Sequence, residues 1–264
     1  MKKILIVTAL LLVGGITFGQ TLKNGAIVEF HHFTLNLDPD VTFNQWLDFA
    51  QNTYLPVWEK NFKGIKSVVM KGDRGVEKND ICWINFYNSK ELRSEYFKDE
   101  GIFVPNEKGM ELQEKVMPTW NELSKLGPSE LDFSTDWVVL PINNTSEQKI
   151  EKGNMLGAHV LKPQLNPDVT MNQFLEFMVT RYNPVVEKNL GWKSYFLRAD
   201  RGKFQGKYMM LYWIESVEAR DKFYDSEGRR TEEGDKAFEK IRPLYEEMQK
   251  MVNLSSEYTD WVVL

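Results

Sequence analysis

An α+β fold written twice is what this sequence predicts, and three observations predict it. The chain ends on "TDWVVL", Thr259 to Leu264, and the same six letters stand at Thr135 to Leu140. Upstream, "NPDVTMNQFLEF" (Asn166 to Phe177) answers "DPDVTFNQWLDF" (Asp38 to Phe49), and "YNPVVEKN" from Tyr182 answers "YLPVWEKN" from Tyr54. Within each copy, strand-like and helix-like stretches follow in the order β-α-β-β-α-β. A conserved order whose offset drifts by only a few residues marks a tandem duplication of one large unit rather than a short solenoid repeat.

Each element has its own signal. Ala26 to Thr34 and Met155 to Lys162 read as first strands. A Pro-Asp turn follows, with Thr42 and Thr170 as N-caps and Gln45 and Gln173 three residues on, the spacing of a capping box. Phe43, Trp46, Leu47 and Phe49 then recur at helical spacing, as do Phe174, Leu175, Phe177 and Met178. Pro56 and Pro184 kink or divide these helices. Lys66 to Lys71 and Lys193 to Arg198 are second strands. "GDRG" (Gly72 to Gly75) and "ADRG" (Ala199 to Gly202) read as turns with solvated arginines, leading to third strands at Asp80 to Tyr87 and Tyr208 to Glu215. Ser89 and Ser216 cap a second helix. Helical stretches at Lys108 to Lys125 and Glu232 to Val252 lead to the repeated hexamer, whose Asp136 and Asp260 cap a turn or anchor an arginine of their own unit.

The start of the chain sets the expected compartment. Lys2 and Lys3, an apolar run from Ile4 to Val13 and the small residues Gly14, Gly15 and Gly19 have the pattern of a secretory signal over residues 1–19, too short for a stable spanning helix. The expected organisation is a signal peptide at 1–19, one repeat at 20–140, a polar linker at 141–153 and a second repeat at 154–264. The expected location is periplasmic or secreted, with no membrane association after cleavage. Asn143 and Asn144 each begin a glycosylation sequon. Cys82 is the lone cysteine, so the core carries the stability that exported proteins often draw from disulfides. The net charge of −5 excludes the basic face that nucleic-acid binders present, so no nucleic-acid partner is expected.

The predicted element order is the split βαβ, or ferredoxin-like, arrangement. Helices cover one face of such a sheet, and the other face must be buried elsewhere. Two joined copies packed sheet to sheet achieve this, as an isologous dimer would. On this order, on the duplication and on the "HVLKP" style of first strand (His159 to Pro163), the chain resembles a fused pair of dimeric α+β barrel domains. That superfamily includes antibiotic-biosynthesis monooxygenases, EthD-like and NIPSNAP-like proteins. The resemblance implies a pseudo-dimeric α+β barrel over essentially the whole mature chain, and one fold hosts many chemistries. Haem-degrading members pair a strand Trp with an Asn on the first strand and a His on a helix. Here the first strand carries His31 and no predicted helix carries a histidine, so no cofactor is expected.

Strand alternation sorts the candidate residues. Val28, Phe30 and His32 share a face with apolar counterparts Leu156, Ala158 and Val160, and are expected under the helices. Ile27, Glu29, His31 and Phe33, matched by Met155, Gly157, His159 and Leu161, are expected to line the space between the sheets. His31 and His159 are the candidate catalytic pair. They are satisfied interior histidines, or one of them is a general base or orienting group toward a phenol or carbon acid. A metal set of His31, His159 and Glu29 lacks supporting spacing, and no metal is expected. Glu29, Phe33, Trp83, Tyr212 and Trp213 are the candidate ligand-binding residues, with Trp83 and Trp213 at matching positions.

No Ser-His-Asp order, phosphate loop or nucleotide fingerprint is present. The expected partner is a small apolar or aromatic molecule, with a homo-oligomer also allowed. Cofactor-independent monooxygenase or isomerase-like activity, non-catalytic ligand binding in the cell envelope, and a structural module with a filled interior all stay open. A cavity of roughly 300 Å³ or more beside the histidines separates the first two from the third.

Overall fold

Eight strands close into one antiparallel barrel in the computed structural model, which describes residues 20–99, 104–141 and 148–264. Residues 1–19, where a signal segment is expected, and the sequons at Asn143 and Asn144 lie outside the described residues. The N-terminal half runs β2 (Ile27–Leu35), α1 (Phe43–Phe49), α2 (Leu55–Asn61), β3 (Ile65–Gly75), β4 (Ile81–Tyr87), α3 (Lys90–Ser94), α4 (Glu107–Leu126) and β5 (Ser129–Val139). The C-terminal half repeats that order: β7 (Met155–Leu165), α5 (Met171–Phe177), α6 (Asn183–Leu190), β8 (Lys193–Gly202), β9 (Tyr208–Ile214), α7 (Val217–Asp221), α8 (Glu232–Met251) and β10 (Val252–Val263). Two short strands, β1 (Gln20–Leu22) and β6 (Gln148–Ile150), pair into a separate ribbon whose Leu22 and Ile150 join the barrel's core.

Around the ring the strands run β3-β4-β2-β5 and then β8-β9-β7-β10, which returns to β3. The halves are therefore joined edge to edge as well as facing each other. The β5–β8 seam sets Asp136 opposite Arg201, and the β10–β3 seam sets Asp260 opposite Arg74. Thus "GDRG" and "ADRG" are strand ends and not solvated turns. Each seam carries a bulge beside the aspartate, where one extra residue increases the local twist. Gly75 sits at φ +99°, and a Cβ there would lie 2.0 Å from the Tyr258 carbonyl oxygen, so only glycine lets the two halves approach this closely.

The local signals act as sequence chemistry requires. Thr42 and Thr170 each form a capping box with Gln45 and Gln173. Pro56 and Pro184 begin new α-helical segments after the wide π-helical turns at Ala50–Tyr54 and Met178–Tyr182, dividing each long helix in two.

The expected assignment of strand faces is reversed. Val28 and Phe30 point into the barrel with Cys82, Ile84, Leu156 and Ala158, while Ile27 and Phe33 lie under the helices with Trp46, Trp58 and Trp83. The reason is dehydration. Little that is polar is needed where strands meet strands around a closed ring, so the more apolar face turns inward, carrying His32 with it against Trp261. The inner face is filled by Trp137 and Trp261, one from each "TDWVVL", each 1% exposed. In each hexamer the Asp points outward to arginine, the Trp inward to the core, and the second Val inward again. The barrel interior is thus largely packed, apart from a cavity of about 270 Å³ where His32 meets Glu77 and Trp261, and Glu29 and His31 of β2 lie in the layer between the sheet and the helices.

Candidate functional site

In the N-terminal half that layer holds a chamber of about 350 Å³. Its walls are Trp46, Tyr54 and Trp58 from α1, the π-helical turn and α2, and Gln113, Val116, Met117 and Trp120 from α4. The sheet beneath contributes His31 and Phe33 from β2, Trp83 and Asn85 from β4, and Ser129 and Leu131 from β5. The division of the first helix at Pro56 sets Tyr54 against both Trp83 and Trp120, at ring-centroid separations of 5.2 and 5.4 Å. The lining is predominantly aromatic, with few polar groups and one ionisable imidazole.

That imidazole is held from below. His31 Nε2 lies 2.9 Å from Glu29 Oε2, and Glu29 has no exposed surface. The same carboxylate oxygen accepts from Asn85 Nδ2 at 2.9 Å and from the Tyr87 hydroxyl at 2.7 Å. Asn85 is in turn oriented by the Ser67 hydroxyl, which donates to its carbonyl oxygen. Burial opposes the charge on Glu29, but the His31 charge and these hydrogen bonds outweigh it and hold the carboxyl at about 2. Burial likewise opposes charge on His31, and the attraction and hydrogen bond of Glu29 overcome it, raising the imidazole above its ordinary value. The carboxylate thus stays ionised beneath the ring and favours its protonated form. Nε2 of His31 faces Glu29, and Asn85 Nδ2 lies 3.3 Å from the same nitrogen, so the ring is oriented from beneath while it lines the chamber.

The C-terminal half has the equivalent chamber, of about 590 Å³, lined by His159, Tyr182, Tyr212 and Tyr245 among others. Its chemistry differs at the floor. Gly157 stands where Glu29 does, and burial alone lowers His159 to about 4, so the ring is neutral. His159 packs between Tyr212 and Tyr258 at centroid separations of 5.4 and 5.3 Å.

The structure thus separates residues that the sequence reading brought together. His31 and His159 line different chambers under different helices, which removes the metal set of His31, His159 and Glu29; among the described residues no cluster of three metal-ligating side chains occurs. Phe33 and Trp83 line the first chamber and Tyr212 the second, whereas Glu29 lies behind His31 and not on the chamber wall. Trp213 belongs to neither. It packs against the barrel core and donates to the Lys149 carbonyl at 2.9 Å. Its equivalence with Trp83 fails on register: Trp83 pairs with His31, while His159 pairs with Met210, an odd number of residues from Trp213 and so on the opposite face. Asn85 and Tyr87 went unnoticed. Their signal was available, because an asparagine inside "ICWINFY", a run otherwise able to be wholly buried, requires a hydrogen-bonding partner.

No family model and no curated protein matches this chain. Among solved structures it is similar to a chlorite dismutase-like protein at 12% identity and TM-score 0.48, covering 90% of this chain and 94% of that one. It is also similar to an anthrone oxidase-like protein at 11% identity and TM-score 0.46, covering 92% and 94%. A variant of the chlorite dismutase from Candidatus Nitrospira defluvii matches at 8% identity and TM-score 0.48, covering 91% and 92%. These neighbours are members of the dimeric α+β barrel superfamily. The likeness is one of fold.

Proposed function

We propose that the N-terminal chamber binds a flat, largely apolar aromatic molecule bearing a weakly acidic hydroxyl or carbonyl oxygen, and that His31 donates a hydrogen bond to that oxygen. One observation carries the reading: an imidazole 2.9 Å from a fully buried glutamate sits on the floor of a chamber walled largely by aromatic and apolar side chains. Such a donor stabilises negative charge as it develops on a ligand oxygen, in surroundings where water screens it little. A bound phenolate or enolate whose proton has passed to solvent is the species consumed in isomerisation and in cofactor-independent oxygenation, the two activities that suit the site. In this reading the halves are tandem ferredoxin-like repeats, residues 20–140 and 154–264, with 141–153 as the link. The basic and apolar start of the sequence supports action in the periplasm or outside the cell, on a small molecule and not on nucleic acid.

Calorimetric titration of the purified protein with 2-naphthol tests the reading. Binding at pH 7 that is lost in Val116→Trp, which fills the chamber, and weakened in His31→Ala supports it. Binding untouched by both substitutions overturns it. Oxygen uptake or isomer formation with hydroquinones then identifies a catalyst, and bound hydroquinone recovered unchanged identifies a carrier.

A further inference from the structure

The chamber of the C-terminal half has diverged from its counterpart in one direction. The register of the strands and the matched Pro118 and Pro243 in α4 and α8 align the two linings. Trp58 becomes Val186, Asn85 becomes Tyr212, Trp120 becomes Tyr245 and Gln113 becomes Phe238. Loss of the Trp58 indole, which stacks on Phe62 at 4.1 Å in the first half, accompanies the larger volume, about 590 against about 350 Å³. Tyrosines replace an amide and an indole on the walls, so the chamber gains hydroxyls at the two positions where its counterpart carries Asn85 and Trp120.

These donors are not consumed by the protein. The indole Nε1 of Trp192 is buried in the wall and has no acceptor. Among the described residues the hydroxyls of Tyr182, Tyr212 and Tyr245 make no hydrogen bond. The buried indole N–H of Trp192 gains most from an acceptor, and the three hydroxyls can turn toward a guest, so such a wall favours one that supplies oxygen acceptors.

The lining also carries three arginines against one aspartate. Arg220 is committed to Asp73, Asp221 and Asp260, at 2.6, 2.8 and 2.9 Å. Arg74 is committed to Asp221 at 2.8 Å and to the Tyr224 carbonyl at 3.3 Å. Arg230 is different. Its Nε meets Asp235 at 2.8 Å and its guanidinium lies 4.2 Å from the Phe238 ring centroid, while its two Nη groups make no hydrogen bond among the described residues. A guanidinium fixed by one carboxylate and one ring, with two parallel donors to spare, has the geometry that binds a carboxylate in bidentate fashion.

We propose that the C-terminal chamber is a second binding site, for an aromatic carboxylate, its ring among Tyr182, Trp192, Tyr212 and Tyr245 and its carboxylate on the Nη groups of Arg230. The two halves then select different guests from related aromatic compounds, the first by an imidazole backed by a carboxylate and the second by an arginine and a wall of neutral donors. This assignment does not depend on the reading of the N-terminal chamber.

The test is calorimetric titration of the full chain at pH 7 with 2-naphthoate, run beside 2-naphthol. Wild-type protein is expected to bind 2-naphthoate. Arg230→Gln, at a half-exposed position that leaves the fold intact, is expected to weaken that binding about 10-fold or more, the usual worth of a charge-assisted pair. Val186→Trp restores the bulk of Trp58 and is expected to abolish it, with 2-naphthol affinity unchanged in both variants. Failure of the wild type to bind 2-naphthoate at millimolar concentration overturns the proposal. So does a 2-naphthoate affinity within about twofold of wild type in Arg230→Gln, or loss of 2-naphthoate binding in Val116→Trp, which would place the carboxylate in the other chamber. Loss of 2-naphthol binding alone bears on the first chamber and leaves this site standing.

Discussion

Arg93 and Asp136, neither with exposed side-chain surface, meet at 2.7 Å between Nη1 and Oδ2 outside the β5–β8 seam. The same guanidinium reaches Asp200 of the other half at 2.8 Å, and Asp136 also accepts from Arg201 Nε at 2.5 Å. The mirror arrangement joins Arg220 to Asp260 of its own half and Asp73 of the other. Each arginine thus fastens one half of the barrel to its partner.

Arg93→Ala leaves Asp136 buried with only Arg201 opposite it. Removing one member of a buried pair costs about 3–5 kcal/mol, and the remaining Arg201 contact places this variant near the lower end. Arg220→Ala is expected to cost less, because Asp260 and Asp73 keep some access to water. Urea unfolding midpoints check both. A stability of Arg93→Ala equal to wild type would mean that the seam is held by strand pairing and core packing alone.

How far the sequence was readable varied with the range of the physics involved. Caps and helix breaks are local, so Thr42, Thr170, Pro56 and Pro184 announced themselves. The duplication was legible because Asp136 and Trp137 must do in one half what Asp260 and Trp261 do in the other. The strand faces were not legible: alternation says which residues share a face, but not whether that face meets helices or opposing strands. His31 and Phe30 were therefore sent to each other's environments. The ion pairs across the seams were also invisible, because "GDRG" reads locally as a turn and becomes a strand end only when the other half supplies the pairing edge.

Glu29→Gln is expected to drop the His31 pKa below the ordinary histidine value, since burial stays while the carboxylate goes. His159 above Gly157 already shows that condition, with a value of about 4. Histidine ring titration by NMR reads the change directly. The stability consequence has two limbs. The raised His31 contributes stability that is whole below its unfolded value of 6.5 and is lost as pH rises through its folded value. Glu29, depressed to about 2, contributes stability that is whole above 4.5 and is lost as pH falls toward 2. The pair therefore stabilises most between those unfolded values, and wild type should lose more of its urea midpoint than Glu29→Gln between pH 5.5 and pH 9. Parallel profiles would show that the pair does not ionise as described.

Trp137→Ala and Trp261→Ala each empty the barrel interior of an indole packed among Phe30, Leu156 and Tyr195. Truncations of this size cost about 3–5 kcal/mol because the cavity relaxes only partly. The near-symmetry of the ring predicts similar losses for the two variants, read by thermal or urea unfolding. A loss under about 1 kcal/mol at either position would mean that the interior collapses freely and is not the rigid core the fold requires.

His159→Phe should stabilise the protein on the acid side. His159 is depressed to about 4 by burial, so between about 4 and the unfolded value of 6.5 the unfolded chain takes up a proton that the folded chain refuses. Stability contributed by the neutral ring is present above 6.5 and is lost as pH falls through that window. His32, depressed to about 3 by burial and the nearby Lys203 charge, pulls the same way, so the slope is reduced and not abolished in the single variant. Phenylalanine keeps the ring between Tyr212 and Tyr258 and takes up no proton. Urea midpoints at pH 4.5 and pH 7 measure the difference: the wild-type midpoint should fall more than that of His159→Phe. Equal falls would place His159 in a solvated setting and deny the C-terminal chamber its enclosed floor.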